Sequence, residues 1–541
     1  MQLSSADHSG SPPRVDVPRD YNAAHDLIER NLAAQRAHRL AYIDDTGRYS
    51  YAELAQRVNR AANALSALGL GMDDRILLAH LDTIDFPSVF LGAIKAGIVP
   101  IAANTLLTTA DYRFMLEDSR AQVLVVSEAL LPNFEPLLKS LPFLKHVVVS
   151  GKDAHGHAHL QSLMAKAGTE FQAAPTTCDD VCFWLYSSGS TGTPKGTVHV
   201  HSSLIQTAEL YAKPILGIRD SDVVFSAAKL FFAYGLGNSL TFPLAVGATT
   251  VLMAERPTPA AVFKRLREHR PTIFYGVPTL YAALLASPDL PSKDDVALRI
   301  CTSAGEALPA HIGRRWTEYF GIDLLDGIGS TEMLHIFLSN RPRDVRYGTT
   351  GKPVPGYRIR LVDDEGREVG PNEIGELQIS GPTSAIMYWN NRPKTLATFV
   401  GPWTRAGDKY TVDDDGYYTY GGRSDDMLKV SGMYVSPFEV EAALLTHPDV
   451  LEAAVVGAAD DQKLVKPKAY VVTKPGVTGS GALAEALKQH VKDRLAPYKY
   501  PRWIDFVPEL PKTATGKIQR FKLRSREARG EGRGKREEGR G

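Results

Sequence analysis

Short apolar runs alternate with amphipathic stretches along the early part of the chain, and this alternation limits the fold more than any other feature. Residues 51–68 (YAELAQRVNRAANALSAL) place apolar side chains three and four apart, the spacing of a helix with one buried face. Residues 75–80 (RILLAH) are short and apolar, as a strand buried on both sides requires. Residues 86–95 read as the next helix, closed by Gly97 at its C-cap, and residues 121–127 (AQVLVVS) as the next strand. Strands that alternate with helices pair in parallel under helical layers, so the reading is an α/β fold of mainly parallel sheets. A second α/β segment runs from 181 to 340. From 345 to 424 glycine, proline and charged turns separate short strands such as 359–362 and 376–380, a β-rich subdomain. Beyond Asp426 a small α/β unit follows, with strands at 453–456 and 469–472 and a helix near 481–495.

Composition narrows the class. The chain has 541 residues, 62 Lys plus Arg against 61 Asp plus Glu, a net charge of +1 and 44% hydrophobic residues. That balance excludes a largely disordered chain, and it argues against a protein built to hold nucleic-acid phosphates. No apolar run approaches the ~18 residues of a membrane span. The N-terminus carries no signal-type apolar stretch, so no membrane association is expected. Three cysteines, Cys178, Cys182 and Cys301, fit buried bystanders in a reducing compartment. Residues 153–159 (DAHGHAH) read as an exposed polar loop, because glycine interrupts the histidines and only Asp153 could complete a ligand set. The final segment, 524–541, holds Arg, Lys, Glu and Gly apart from Ser525 and Ala528, and reads as a disordered tail.

The strongest local signal is residues 186–196, YSSGSTGTPKG, directly after the apolar run 181–185. Gly189, Gly192 and Gly196 let backbone N–H groups converge on an anion. Ser187, Ser188, Ser190, Thr191 and Thr193 add hydroxyl donors, and Lys195 adds charge. The segment is built to hold phosphates, but it is not a Walker A loop. Pro194 stands where the second glycine should be, and Gly196 where Ser or Thr should follow the lysine.

This loop resembles that of the adenylate-forming enzymes, the superfamily of acyl-CoA synthetases, peptide-synthetase adenylation domains and beetle luciferases. Further segments follow in the family's order: 303–308 (SAGEAL), 326–332 (DGIGSTE), 403–409 (WTRAGDK), 420–426 (YGGRSDD) and 511–517 (PKTATGK). The likeness spans residues 20–523. It implies ATP, Mg²⁺ and CoA as cofactor and co-substrates. It implies an adenylation domain at 21–424, and a mobile C-terminal domain at 425–523 that swings about Asp425 between adenylating and thioester-forming poses. By the same resemblance Gly305, Glu306, Asp326 and Ile328 contact adenine, with Ile328 standing where relatives commonly carry an aromatic. Thr331 meets the α-phosphate and Glu332 the metal. Asp408 accepts from the ribose hydroxyls with Arg423 nearby. Gly432 leaves room for the pantetheine arm of CoA, and Lys517 is the catalytic lysine. A lysine in a glycine-flanked loop is accessible to a lysine acetyltransferase, and acetylation of Lys517 would silence adenylation by removing its charge.

Two stretches bear on the acid: 229–238 (KLFFAYGLGN) and 329–340 (GSTEMLHIFLSN). Both resemble the benzoate–CoA ligase branch of the family. The resemblance implies a ring pocket of Ala233, Tyr234, Gly329, His335 and Ile336. In it Ala and Gly leave a slot, Tyr and Ile give apolar walls, and His335 offers one polar edge. The expected reaction joins an aromatic carboxylic acid, benzoate first, to CoA at the expense of ATP, in the cytoplasm. Substituted benzoates, cinnamate-type acids and medium-chain acids stay open as substrates. A catalytically dead nucleotide-binding protein is a different class, and Thr331, Glu332, Asp408 and Lys517 all being present argues against it.

Overall fold

The computed structural model describes residues 1–188, 194–424, 426–430, 433–460, 464–512 and 518–528. Contacts divide it into two units, 1–359 with 378–405, and 360–377 with the chain from 406 onward. This boundary differs from a single break at 424, because 360–377 and 406–424 pack with the C-terminal part of the chain.

The first unit holds two large sheets, counted among the described residues. In the first, the parallel strands Val181–Ser188, Val99–Ala102, Arg75–Ala79, Val123–Ser127, His146–Ser150 and Ala158–His159 lie side by side. Two antiparallel strands extend its edge: Pro194–Val200 pairs with Val181–Ser188, and Met387–Tyr388 pairs with Pro194–Val200. In the second sheet, Leu324–Gly329, Ile300–Ser303, Ile273–Gly276, Val223–Ser226, Thr249–Val251 and Leu40–Asp44 run parallel. Ile336–Ser339 and Lys352–Pro353 extend that sheet antiparallel beyond Leu324–Gly329.

Local chemistry explains the helices that cover these sheets. Tyr51–Ala67 starts at Ser50, whose side chain accepts from the Glu53 N–H while Glu53 reaches back to the Ser50 N–H, a full capping box. Its buried stripe of Leu54, Val58, Ala61, Ala62 and Leu65 follows the helical period. Asp85–Lys95 is buried along its whole length, and Gly97 closes it at φ +74°.

The second unit is smaller. Val450–Ala459, Val465–Thr473 and Trp503–Phe506 form a sheet under the helices Pro437–Leu445 and Gly481–Lys492. A further helix, Arg520–Ala528, corrects the expected tail over its first residues. Leu523 is fully buried among Ala454, Val456, Tyr470 and Leu510, Arg524 pairs with Asp426, and Glu527 accepts from Lys468 Nζ at 2.7 Å. The segment's composition offers no core of its own, but it borrows one. Residues 529–541 lie outside the described residues.

Arg520 donates to both carboxylate oxygens of Glu441, at 3.0 and 2.5 Å, and Glu441 also accepts from the Val455 N–H at 2.7 Å. Glu441 is 4% exposed, so removing its partner strands a buried carboxylate. The Arg520→Met variant is expected to lose about 3 kcal/mol of unfolding free energy in this unit, read by denaturant titration. An unchanged transition would contradict the pairing.

Candidate active site

The antiparallel edge of the first sheet sorts its side chains by face. Alternation along a strand puts Lys195, Thr197 and His199 on one side. Ser187 pairs with Lys195, Phe183 with His199, and Thr197 with Tyr388, so all of them share that face. On the opposite face Trp184 stacks on Trp389 with ring centroids 4.8 Å apart, and a Cβ on Gly196 would stand 3.3 Å from Trp389 Cβ and 3.5 Å from Trp184 Nε1. The apolar face is the anchor, and the polar face meets the turn between Leu324–Gly329 and Ile336–Ser339.

That turn carries Thr331 and Glu332. It is the link of a hairpin and not a helix start, the alternative its Ser-Thr-Glu sequence suggests. Leu334 takes φ +64°, and the Met333 N–H donates to Ser330. Three ties hold it. His199 Nε2 donates to the Thr331 carbonyl at 2.7 Å, the Ala385 N–H donates to the Glu332 carbonyl at 2.7 Å, and the Tyr388 hydroxyl donates to Glu332 Oε1 at 2.7 Å. Lys195 Nζ lies 4.7 Å from the centre of the Tyr388 ring. Ser187 Oγ is buried with no hydrogen-bond partner in the protein. An uncommitted hydroxyl, an ammonium, a threonine and a carboxylate therefore converge on one surface. Among the described residues no group of three His, Cys, Asp or Glu side chains clusters as a metal cage. A single carboxylate suits Mg²⁺, which keeps several waters and is shared with substrate phosphates. Glu332 has one oxygen bonded and the other without a hydrogen-bond partner among the described residues, which fits that role.

Burial sets the protonation of the groups around this surface. Desolvation depresses His199 to about 4, so its ring is neutral, with Nε2 carrying the proton toward Thr331. His335 is pushed down to about 3 by the same cause. Its Nε2 faces the Tyr234 carbonyl at 3.3 Å and Asn238 Oδ1 at 3.2 Å, both acceptors, so Nε2 is the protonated nitrogen and Nδ1 is a bare acceptor. Burial raises the Asp326 carboxyl well above the usual range, although the Leu308 and Gly327 N–H groups donate to it.

Aromatic rings gather around His335. Tyr234, Tyr211 and Phe242 place their rings 5.6, 5.5 and 4.5 Å from its centroid. The Tyr234 hydroxyl bonds Thr302, and Ala233 opens the short helix Ala233–Leu236. Two glycines there meet a steric demand, which at Gly329 comes in addition to the expected slot. A Cβ on Gly329 would stand 2.5 Å from the His335 carbonyl oxygen, so the hairpin itself needs the glycine, and Ile336 pairs with it. A Cβ on Gly235 would stand 2.0 Å from the Lys229 carbonyl oxygen. The 229–230 backbone is held in turn by Asp82, which accepts from the Leu230 N–H at 3.3 Å and is pushed up to about 6 by burial.

Register brings Asp326 beside Ser303 at the carboxyl ends of adjacent parallel strands, with Gly305 and Glu306 just beyond Ser303. Glu306 accepts from Thr279 Oγ1 at 2.8 Å, and Ile328 pairs with Leu338. In the second unit, Asp408 and Arg423 are strand partners, and Arg423 Nη1 donates to Asp408 Oδ1 at 3.1 Å. Gly189, Ser190, Thr191, Asp425, Gly432, Lys517 and the Ser188 side chain lie outside the described residues. Sequence reasoning missed Tyr388, His199, Tyr211, Asn238 and Asp82. For His199 the signal was its place two and four residues beyond Thr197 and Lys195. Nothing local marks Tyr388, which is far from its partners along the chain.

The sequence profile of the AMP-binding enzyme family matches residues 28–389, and that of the AMP-binding enzyme C-terminal domain matches 439–517. The chain belongs to the AMP-binding enzyme family. It is 67% identical over 525 residues to benzoate–CoA ligase of Thauera aromatica, covering 97% of this chain and 99% of that relative. The structure of a benzoate–CoA ligase from Burkholderia xenovorans LB400 superposes with TM-score 0.86 at 58% identity, over 93% of this chain and 100% of that one. An anthranilate–CoA ligase solved with anthranoyl-AMP gives TM-score 0.90 at 44% identity, over 96% and 99%.

Three buried imidazoles set one pH response. His199 and His201 are depressed to about 4 and His335 to about 3, from an ordinary 6.5. Between those values the unfolded chain binds protons that the folded chain refuses, so these groups make stability fall as pH drops below 6.5. His199→Gln is expected to flatten that loss by up to about 1.4 kcal/mol per pH unit, measured by urea unfolding at pH 6.5, 5.5 and 4.5. An unaltered slope would mean the His199 imidazole is not kept neutral.

Proposed function

We propose that this protein is an ATP-dependent benzoate–CoA ligase. Benzoate is adenylated to benzoyl-AMP with release of pyrophosphate, and the acyl group then passes to CoA, giving benzoyl-CoA and AMP. The observation that carries this reading is the 67% identity to a benzoate–CoA ligase over nearly the whole of both chains. The clustering of Tyr234 and His335 among aromatic rings supports it.

The chemistry requires such a surface. A carboxylate is a poor electrophile, and conversion to a mixed anhydride with AMP supplies a leaving group. In the first step a benzoate oxygen forms a bond to the α-phosphorus, and the bond from that phosphorus to the pyrophosphate oxygen breaks. Both reactants are anionic, so cations and oriented donors do the work. Ser187, Ser188, Gly189, Ser190, Thr191 and Lys195 hold phosphates, and Thr331 donates to the α-phosphate. Glu332 holds Mg²⁺, which when bound neutralises triphosphate charge. Asp326, Gly305, Glu306 and Ile328 face adenine, and Asp408, held by Arg423, accepts from the ribose. Ala233, Tyr234, Gly329, His335 and Ile336 line the ring. Lys517 neutralises charge that builds between carboxylate and α-phosphate, and Asp425 is the hinge that brings Gly432 to the CoA arm in the second step. The enzyme works in the cytoplasm, where ATP and CoA are supplied, and an acetyltransferase acting on Lys517 would switch it off.

A substituted benzoate is the second reading, favoured by the 44% identity to the anthranilate–CoA ligase. An apolar pocket rejects an added polar group only about a hundredfold. Pyrophosphate release with and without CoA over benzoate, hydroxybenzoates, 2-aminobenzoate, cinnamate, hexanoate and acetate is expected to be fastest with benzoate and CoA. Faster turnover of hexanoate or cinnamate would overturn the acid, and no release with any acid would overturn the ligase. Lys517→Ala is expected to slow adenylation about a hundredfold or more while sparing thioester formation from supplied benzoyl-AMP. Equal loss in both half-reactions refutes its role, and full activity after complete Lys517 acetylation refutes the switch.

A further inference from the structure

We propose that Tyr388 is a positioning residue that holds Glu332 and Lys195 in register, so that one rigid side chain sets where the metal-binding anion and the phosphate-binding cation stand. The proposal rests on the roles of Glu332 and Lys195 in the proposed ligase and adds to them a residue that touches neither substrate nor metal.

The geometry is direct. The Tyr388 hydroxyl donates to Glu332 Oε1 at 2.7 Å, while Lys195 Nζ lies over the face of the same ring, 4.7 Å from its centre. A phenol beside a carboxylate can only donate, so it orients the glutamate without taking its second oxygen. The ring face attracts an ammonium through its quadrupole. Tyr388 itself cannot shift. It is 3% exposed, its strand is paired to Pro194–Val200, its N–H donates to Thr395 Oγ1 at 3.0 Å, and its ring packs on Phe399 with centroids 5.3 Å apart. A glutamate left to itself loses rotamer freedom when it takes up a metal. The phenol bond removes most of that freedom beforehand. It also keeps the flexible lysine and the flexible glutamate on two different parts of one support, the hydroxyl end and the ring face.

ATP binding to the full-length protein, titrated calorimetrically in Mg²⁺ and again in EDTA, tests this without turnover. In Tyr388→Phe, which keeps the ring and deletes the donor, the Kd for Mg·ATP is expected to rise about tenfold (about 1.4 kcal/mol). Metal-free ATP, which depends on Lys195, should stay within about twofold of the unaltered protein. The Mg²⁺ concentration for half-maximal pyrophosphate release should rise, with KM for benzoate unchanged. Tyr388→Leu removes the ring as well and is expected to weaken metal-free ATP about fivefold. If that variant does not fold, Tyr388→Phe decides alone. Glu332→Gln separates the two layers. Weakened Mg·ATP binding in Glu332→Gln with unaltered binding in Tyr388→Phe overturns the role of Tyr388 only. Unaltered binding in Glu332→Gln overturns the metal role of Glu332, and this proposal with it.

Discussion

Parallel strands must be covered on both faces, and that requirement decides where chemistry can happen in this protein. Their faces are taken by helices such as Tyr51–Ala67 and Asp85–Lys95, so only strand ends and edges remain for polar side chains. Each large sheet is continued by antiparallel strands, the first at one edge and the second at both. The extension of the first sheet carries Lys195, Tyr388 and His199 on one face, with Ser187 beside Lys195 on the strand it pairs with. The extension of the second carries the Thr331–Glu332 turn, and the bonds from His199, Ala385 and Tyr388 join the two. On the opposite face the Trp184–Trp389 stack, with Val198 and Met387 packed in the same core, anchors the first extension.

Dryness then sorts charged groups from neutral ones. A buried, unpaired charge costs several kcal/mol, against about 1 kcal/mol gained by an ordinary hydrogen bond. His199 and His335 answer by staying uncharged, and burial pushes the Asp326 carboxyl upward, the same way. Lys195 and Glu332, by contrast, are only half-buried. The second unit solves the same problem by pairing: Arg520 with Glu441, and Lys468 with Asp505 and Glu527.

Much of this was legible without coordinates. The 51–68 helix and the 75–80 strand follow from period alone, and their ends moved by one residue in the structure. The segment 524–528 misled for a physical reason. Its own composition holds no core, but Leu523, Arg524 and Glu527 find partners far away in the chain. Gly329 carries a second demand that its local sequence does not show. Beside the room expected there for a ring, a Cβ would meet the backbone of its own hairpin at His335 and Ile336, a demand set by strand register.

The sequence by itself determined the fold class and the order of the family's motifs, because each depends on residues close together in the chain. Tertiary structure alone decided that Tyr388 stands between Lys195 and Glu332, that His199 grips the Thr331 carbonyl, and that His335 is a neutral ring with its Nε2 proton committed. Those outcomes depend on strand register and on exclusion of water. Both arise only when segments far apart in the chain pack against one another.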